Sequence, residues 1–130
     1  MAVETKGLRI LVVDDDDLIR ALLKTLLKHL GADVVGEAAN GKEAISQFST
    51  LGPDLVLLDV EMPVKNGFDT LKEIKKLDAQ AEIIMLTAND NTAVAESCIH
   101  AGARTYIKKG ETPQVLQASL QTHLAALNVG

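Results

Sequence analysis

LRILVVDDDDLIRALLKTLLKHLG, residues 8–31, decides the fold. Its first part, residues 8–13, reads as a strand that ends in the apolar run Ile10-Leu11-Val12-Val13. Leu18, Leu22, Leu26 and Leu30, with Ile19, Leu23 and Leu27 beside them, recur at helical spacing. Gly31 stands where a helix C-terminus takes a glycine. A strand therefore feeds a helix across Asp14, Asp15, Asp16 and Asp17. Two unit charges about 4 Å apart repel by roughly 4 kcal/mol at an effective dielectric of ~20. Four adjacent carboxylates need solvent, a helix N-terminus or a cation to offset that cost.

The strand-then-helix pattern continues along the chain. A weaker strand is expected over 34–38. Asn40-Gly41 reads as a turn, with a helix over 42–51 that Gly52-Pro53 breaks. Leu55 to Leu58 is an uninterrupted apolar run ending in Asp59. The loop VEMPVKNG leads to a helix through Leu71 and Ile74. Ile83 to Leu86 is a further apolar run, ending in Thr87. A helix over 92–100 leaves through Ala101-Gly102-Ala103, and residues 105–108 form a last strand. Thr112 as N-cap and Pro113 at the first helical position open a final helix carrying Leu116, Leu120, Leu124 and Leu127. The central strands are apolar on both faces, as a parallel sheet covered by helices requires. With no repeat, low-complexity tract or linker, the expectation is one α/β domain over 1–130, its core about 8–127.

Composition narrows the function classes. A chain of 130 residues, 47% hydrophobic, can bury a core, and with only Phe48, Phe68 and Tyr106 as aromatics that core is aliphatic. A net charge of -5 disfavours direct nucleic-acid binding, which needs clustered Lys and Arg. No apolar run approaches a membrane span, and MAVETKG carries no signal-peptide core. The single Cys98 cannot form an intramolecular disulfide, which fits a reducing cytoplasm. His29, His100 and His123 are scattered and do not form a metal cluster.

In an open parallel sheet, ligands bind beyond the carboxyl ends of the strands. The residues there are Asp14 and Asp15, Asp59, Thr87, and Lys108-Lys109. Neither GxGxxG nor GxxxxGK[ST] occurs, which disfavours dinucleotide and P-loop sites. Clustered carboxylates suit Mg²⁺, which prefers oxygen ligands and commonly bridges carboxylates to phosphate. Asp14 and Asp15 are expected to hold the ion, while Asp16 and Asp17 cap the next helix and face its positive end. Taken alone, the acidic run reads equally well as a solvated cap; joint placement at four strand ends carries the metal reading. The chemistry that fits is phosphoryl transfer to a carboxylate: Asp59 as nucleophile, Lys109 as a fixed cation, and Thr87 as a hydroxyl donor. The alternative from the enzyme class is a Mg²⁺-dependent phosphohydrolase using Asp14-Asp15-Asp16 as an Asp-x-Asp nucleophile motif, which leaves Asp59 without a role.

VVDDDD, LVLLDVEMP, NG, MLTA and AGARTYIKK, in this order and spacing, resemble the receiver domain of bacterial two-component response regulators, with the chemotaxis-type single-domain regulator as the nearest architecture. The resemblance spans about residues 8–127. It implies a doubly wound five-stranded parallel sheet, flavodoxin-like with strand order 2-1-3-4-5, flanked by five helices. It implies that Asp59 is the phosphoacceptor, that Asp14, Asp15, Asp59 and the backbone carbonyl of Glu61 bind Mg²⁺, and that Lys109 and Thr87 bind the phosphoryl group. Thr87 and Tyr106 would form the switch. The family takes phosphate from a phosphohistidine on a sensor histidine kinase or phosphotransfer protein, and assists its own phosphorylation and dephosphorylation rather than turning over a substrate. Its output face, helix 4, strand 5 and helix 5, falls here at about 92–125 and would bind a downstream protein. Glu61 and Asn89 would tune the lifetime of the phosphorylated state. Two positions depart from the pattern: Gly110 follows the lysine where proline is frequent, and Asn66 stands where aspartate is usual. Tyrosine-to-lysine spacing selects Lys109 over Lys108, and strand alternation sends Lys108 to the opposite face.

Overall fold

The computed structural model describes residues 7–88 and 92–127; the expectations for residues 1–6, for Asn89 and for the tail 128–130 lie outside them. Strands and helices alternate as β1 (Arg9–Val13), α1 (Asp17–His29), β2 (Asp33–Ala38), α2 (Gly41–Leu51), β3 (Leu55–Asp59), α3 (Gly67–Leu77), β4 (Ile83–Thr87), α4 (Thr92–His100), β5 (Thr105–Lys108) and α5 (Pro113–Leu127). All strand pairs are parallel and the sheet order is β2-β1-β3-β4-β5. This is the flavodoxin-like order that the resemblance implies.

Period-2 alternation divides the core between the two faces of the sheet. Ile10, Val12, Leu55, Leu57, Ile84, Leu86 and Ile107 point to one side, under Leu23, Leu26 and Leu27 of α1 and Leu116, Leu120 and Leu124 of α5. Leu11, Val13, Val56, Leu58, Ile83 and Met85 point to the other, under Ala44 and Phe48 of α2, Leu71 and Ile74 of α3 and Cys98 of α4. Every residue of β3 and β4 is buried, which explains their unbroken apolar runs.

Local differences from the sequence reading have physical causes. Asn40-Gly41 is a helix N-terminus rather than a separate turn. The Asn40 side chain accepts from the Glu43 N–H at 2.9 Å, and Glu43 reaches back to the Ala39 N–H at 3.0 Å, so α2 begins one residue early. Leu18 belongs to the helical leucine pattern but is 81% exposed, in the first turn of α1. Asp16 caps α1 through Leu18 N–H and Ile19 N–H. Asp17 does not cap; it lies in the first turn and pairs with Arg20. Asn66, in place of the usual aspartate, serves as the N-cap of α3 by accepting from Asp69 N–H at 2.9 Å. Every peptide bond among the described residues is trans, including the one before Gly110.

Gly67 fixes how closely α3 approaches β3. A Cβ at this position would lie 2.1 Å from the Asp59 carbonyl oxygen and 2.8 Å from Val60 Cα, both backbone atoms that cannot rotate away. Gly67→Ala is therefore expected to destabilise the fold by about 1–3 kcal/mol or more. Urea unfolding measures this, and a loss within error of zero would contradict the close approach.

Candidate functional site

Parallel register brings the strand ends together. Leu58 lies beside Val13, Asp59 beside Leu86, and Thr87 beside Lys108. The residues immediately after β1 and β5, and the last residues of β3 and β4, therefore share one rim.

Asp14 is fully buried, and both its carboxylate oxygens are engaged. Oδ1 accepts from Asp16 N–H at 2.9 Å, and Oδ2 accepts from Lys109 Nζ at 2.9 Å. Asp59 is 1% exposed. Its Oδ1 forms an ion pair with Lys109 Nζ at 2.9 Å and accepts from Glu61 N–H at 3.3 Å. Its Oδ2 is buried with no hydrogen-bond partner among the described residues. Lys109, not Lys108, reaches both carboxylates, as strand alternation requires. Oxygens of Asp14, Asp15 and Asp59 lie within 4.8 Å of one another, and Asp15 is exposed at the mouth of the notch. An all-oxygen donor set with one buried, unpartnered carboxylate oxygen fits a hard divalent cation.

Burial pushes the Asp59 carboxyl up to about 7, against the pull of Lys109 and with Asp14 repulsion adding to it. Burial acts against the Lys109 ammonium, but Asp14 and Asp59 outweigh it and hold its pKa above the usual lysine value. An unfolded Asp59 loses its proton near pH ~3.9, so between there and about 7 the folded chain holds the extra proton. Stability without a metal therefore falls as pH rises through that window. The advantage of Asp59→Asn over wild type in chelator should grow by at most about 1.4 kcal/mol per pH unit, then level off. Urea unfolding across the window measures it, and a constant difference would refute the buried-carboxylate account.

Thr87 is fully buried; its hydroxyl donates to the Ala88 carbonyl at 3.2 Å. The Lys109 N–H donates to the Thr87 carbonyl at 2.9 Å, tying the lysine to the end of β4. Tyr106 is half-buried against the core on the sheet face shared with Met85, its partner in register. Glu61 stands on the rim through its N–H contact to Asp59.

Arg20 went unnoticed in the sequence. Its Nη1 donates to the backbone carbonyl of Asp14 at 2.7 Å, and its Nε donates to Glu37 at 3.1 Å. Acid-to-base spacing from Asp16 and Asp17 to Arg20 signalled a helical pair. Nothing periodic signals a main-chain target.

Comparison with known proteins agrees with this geometry. The response regulator receiver domain model matches residues 10–121. The chain is 42% identical over 107 residues to the chemotaxis protein CheY of Thermotoga maritima, covering 82% of this chain and 89% of that one. It is 42% identical over 115 residues to CheY of Bacillus subtilis, covering 88% and 96%. Among solved structures, the response regulator domain of Thermotoga maritima CheB aligns with a TM-score of 0.84 at 30% identity, over 96% of this chain and 99% of that one. A CheX-CheY-BeF3-Mg²⁺ complex from Borrelia burgdorferi aligns with a TM-score of 0.81 at 28% identity, over 91% and 90%.

Proposed function

Because this chain belongs to the response regulator receiver domain family, we propose that Asp59 accepts a phosphoryl group and that the acyl phosphate switches a protein-binding face. The observation that carries the reading is the asymmetry of the two buried carboxylates. Both oxygens of Asp14 are occupied, whereas Asp59 Oδ2 has no partner among the described residues. That oxygen attacks the phosphorus of a phosphohistidine; the new O–P bond forms as the N–P bond breaks, and the imidazole nitrogen leaves with the electron pair. Lys109 already sits on Oδ1 and follows the charge as it moves onto the phosphoryl oxygens. Asp14, Asp15, Asp59 and the Glu61 carbonyl would hold Mg²⁺, which would supply neutralisation of phosphoryl charge. The presence of Mg²⁺ and BeF3 in the complex named for the Borrelia relative supports this ligand class. Dephosphorylation is hydrolysis of the same bond, assisted by the same residues.

The hydrolase alternative needs Asp14 as nucleophile and Asp16 as its partner. Each Asp14 oxygen already accepts a hydrogen bond, whereas Asp59 Oδ2 accepts none among the described residues, and Asp16 is spent capping α1. One domain of phosphoacceptor type is the reading retained. Its donor is a sensor histidine kinase or phosphotransfer protein, and the setting is the cytoplasm. No helix among the described residues is long and apolar enough to cross a membrane.

The test is intact-mass analysis after incubation with Mg²⁺ and a small acyl-phosphate donor. One added phosphoryl group, lost on chelation of the metal, is expected. An unmodified mass would overturn the proposal.

Thr87 and Tyr106 carry the signal outward. Thr87 turns its hydroxyl to the new phosphoryl group, and Tyr106, on the same face, fills the space released. The target binds the face of α4, β5 and α5, where Val94, Ile99 and Val115 expose apolar surface. Thr87→Ala should still take up phosphate while losing the phosphorylation-dependent gain in partner affinity, typically about 5–150-fold for such couplings. Titrating the phosphorylated variant with its target measures the gain. Full retention would remove Thr87 from the switch.

A further inference from the structure

We propose that Arg20 is a positioning residue for the metal site, acting through the main chain of Asp14. The inference rests on the cation-binding reading above and extends it to a residue outside the notch. Asp14 sits at the exit of β1, where strand pairing ends. Its N–H still donates to the Ala38 carbonyl at 3.1 Å, but its own carbonyl has left the sheet. That carbonyl accepts from Arg20 Nη1 at 2.7 Å. The rest of the guanidinium is fixed in place: Nε donates to Glu37 at 3.1 Å, and Nη2 pairs with Asp17. Glu37 is held in turn by Lys24 at 2.7 Å. One planar group thus joins the end of β1, the edge strand β2 and the first turn of α1. The Arg20 side chain is only 15% exposed.

Fixing the Asp14 peptide fixes where its carboxylate points. Groups that orient metal ligands from behind typically contribute 10–100-fold to metal affinity. Guanidinium geometry matters here, since a single ammonium cannot span the Asp14 carbonyl and Glu37 at once.

Charge and position make opposite demands, and this separates them. As a nearby cation, Arg20 repels Mg²⁺; removing it would tighten binding, and exchanging it for lysine would change nothing. As a positioning group, its loss weakens binding in either variant. Mg²⁺ affinity of wild type, Arg20→Lys and Arg20→Met, read by calorimetry with folding confirmed by circular dichroism, decides between them. We expect Arg20→Met to lose roughly 10–100-fold and Arg20→Lys to lose part of that. An unchanged Arg20→Lys, or a tighter Arg20→Met, overturns the role of Arg20. If Arg20→Met fails to fold, Arg20→Lys alone decides, because its charge is unchanged. Absence of Mg²⁺ binding in wild type would instead overturn the cation site itself.

Discussion

Asp59→Asn should accept no phosphoryl group at all under conditions that label the wild type completely. The substitution keeps the shape of the side chain and the burial of its site but removes the nucleophilic oxygen pair. The amide oxygen is a poor nucleophile. The neighbouring acids offer no substitute: Asp14 has both oxygens hydrogen-bonded, and Asp15 is exposed to solvent. The variant should remain folded and, without metal, exceed wild type in stability by a margin that reaches its full size by about pH 7, since burial of an ionised Asp59 is what raises its pKa. Intact mass after donor treatment and urea unfolding of the same sample check both halves. Label that persists in Asp59→Asn and vanishes in Asp14→Asn would transfer the chemistry to the first strand end.

The second large effect is expected at Lys109. Its ammonium serves Asp14, fully buried, and Asp59, nearly so, at 2.9 Å each. Lys109→Met leaves both without their cation. Breaking a buried ion pair from one side costs about 3–5 kcal/mol. Protonation of Asp59 limits the loss, so the cost should be smaller below about pH 7 than above it. Added Mg²⁺ should recover part of the stability by neutralising the same carboxylates, and should do so more in the variant than in wild type. Phosphoryl uptake should fall by about 10²–10³, as when one preorganised charge donor is removed from a reaction site. Urea unfolding with and without Mg²⁺, and the rate of labelling, measure these. A stability loss below about 1 kcal/mol would mean that the notch solvates its acids by other means.

The fold was legible because its signals are local. LVLLD and IIMLT are apolar on both faces, and only an interior strand of a covered parallel sheet buries both. The rule that ligands sit at strand ends then selected Asp14, Asp15, Asp59, Thr87 and Lys109 before any distance was known. The tyrosine-to-lysine spacing of the resemblance, together with alternation along β5, separated Lys109 from Lys108. Sheet order was different: the residues show strands but not their neighbours, and the order came from resemblance. What stayed hidden depends on contacts between chain segments far apart or on single atoms. The open oxygen of Asp59, the reach of Arg20 to a main-chain carbonyl and the fit of Gly67 on the Asp59 peptide have no periodic signature. Asp17 stands in the first turn of α1 as expected but pairs with Arg20 instead of capping, because one acidic run supplies both a cap and an ion-pair partner. Only Asp16 has the extended backbone an N-cap needs.

The contact of Gly67 with the carbonyl of Asp59 leaves that side of the domain without slack. α3 rests on the acceptor's own peptide with no clearance for even a methyl group. On the proposed reading, a bulky dianion attached to that carboxyl would not be accommodated by recoil toward α3. Displacement would then run the other way, across β4 toward β5, where the Lys109 N–H donates to the Thr87 carbonyl. On that reading the direction in which the message travels would be set by an anvil behind Asp59 as much as by the moving parts in front of it.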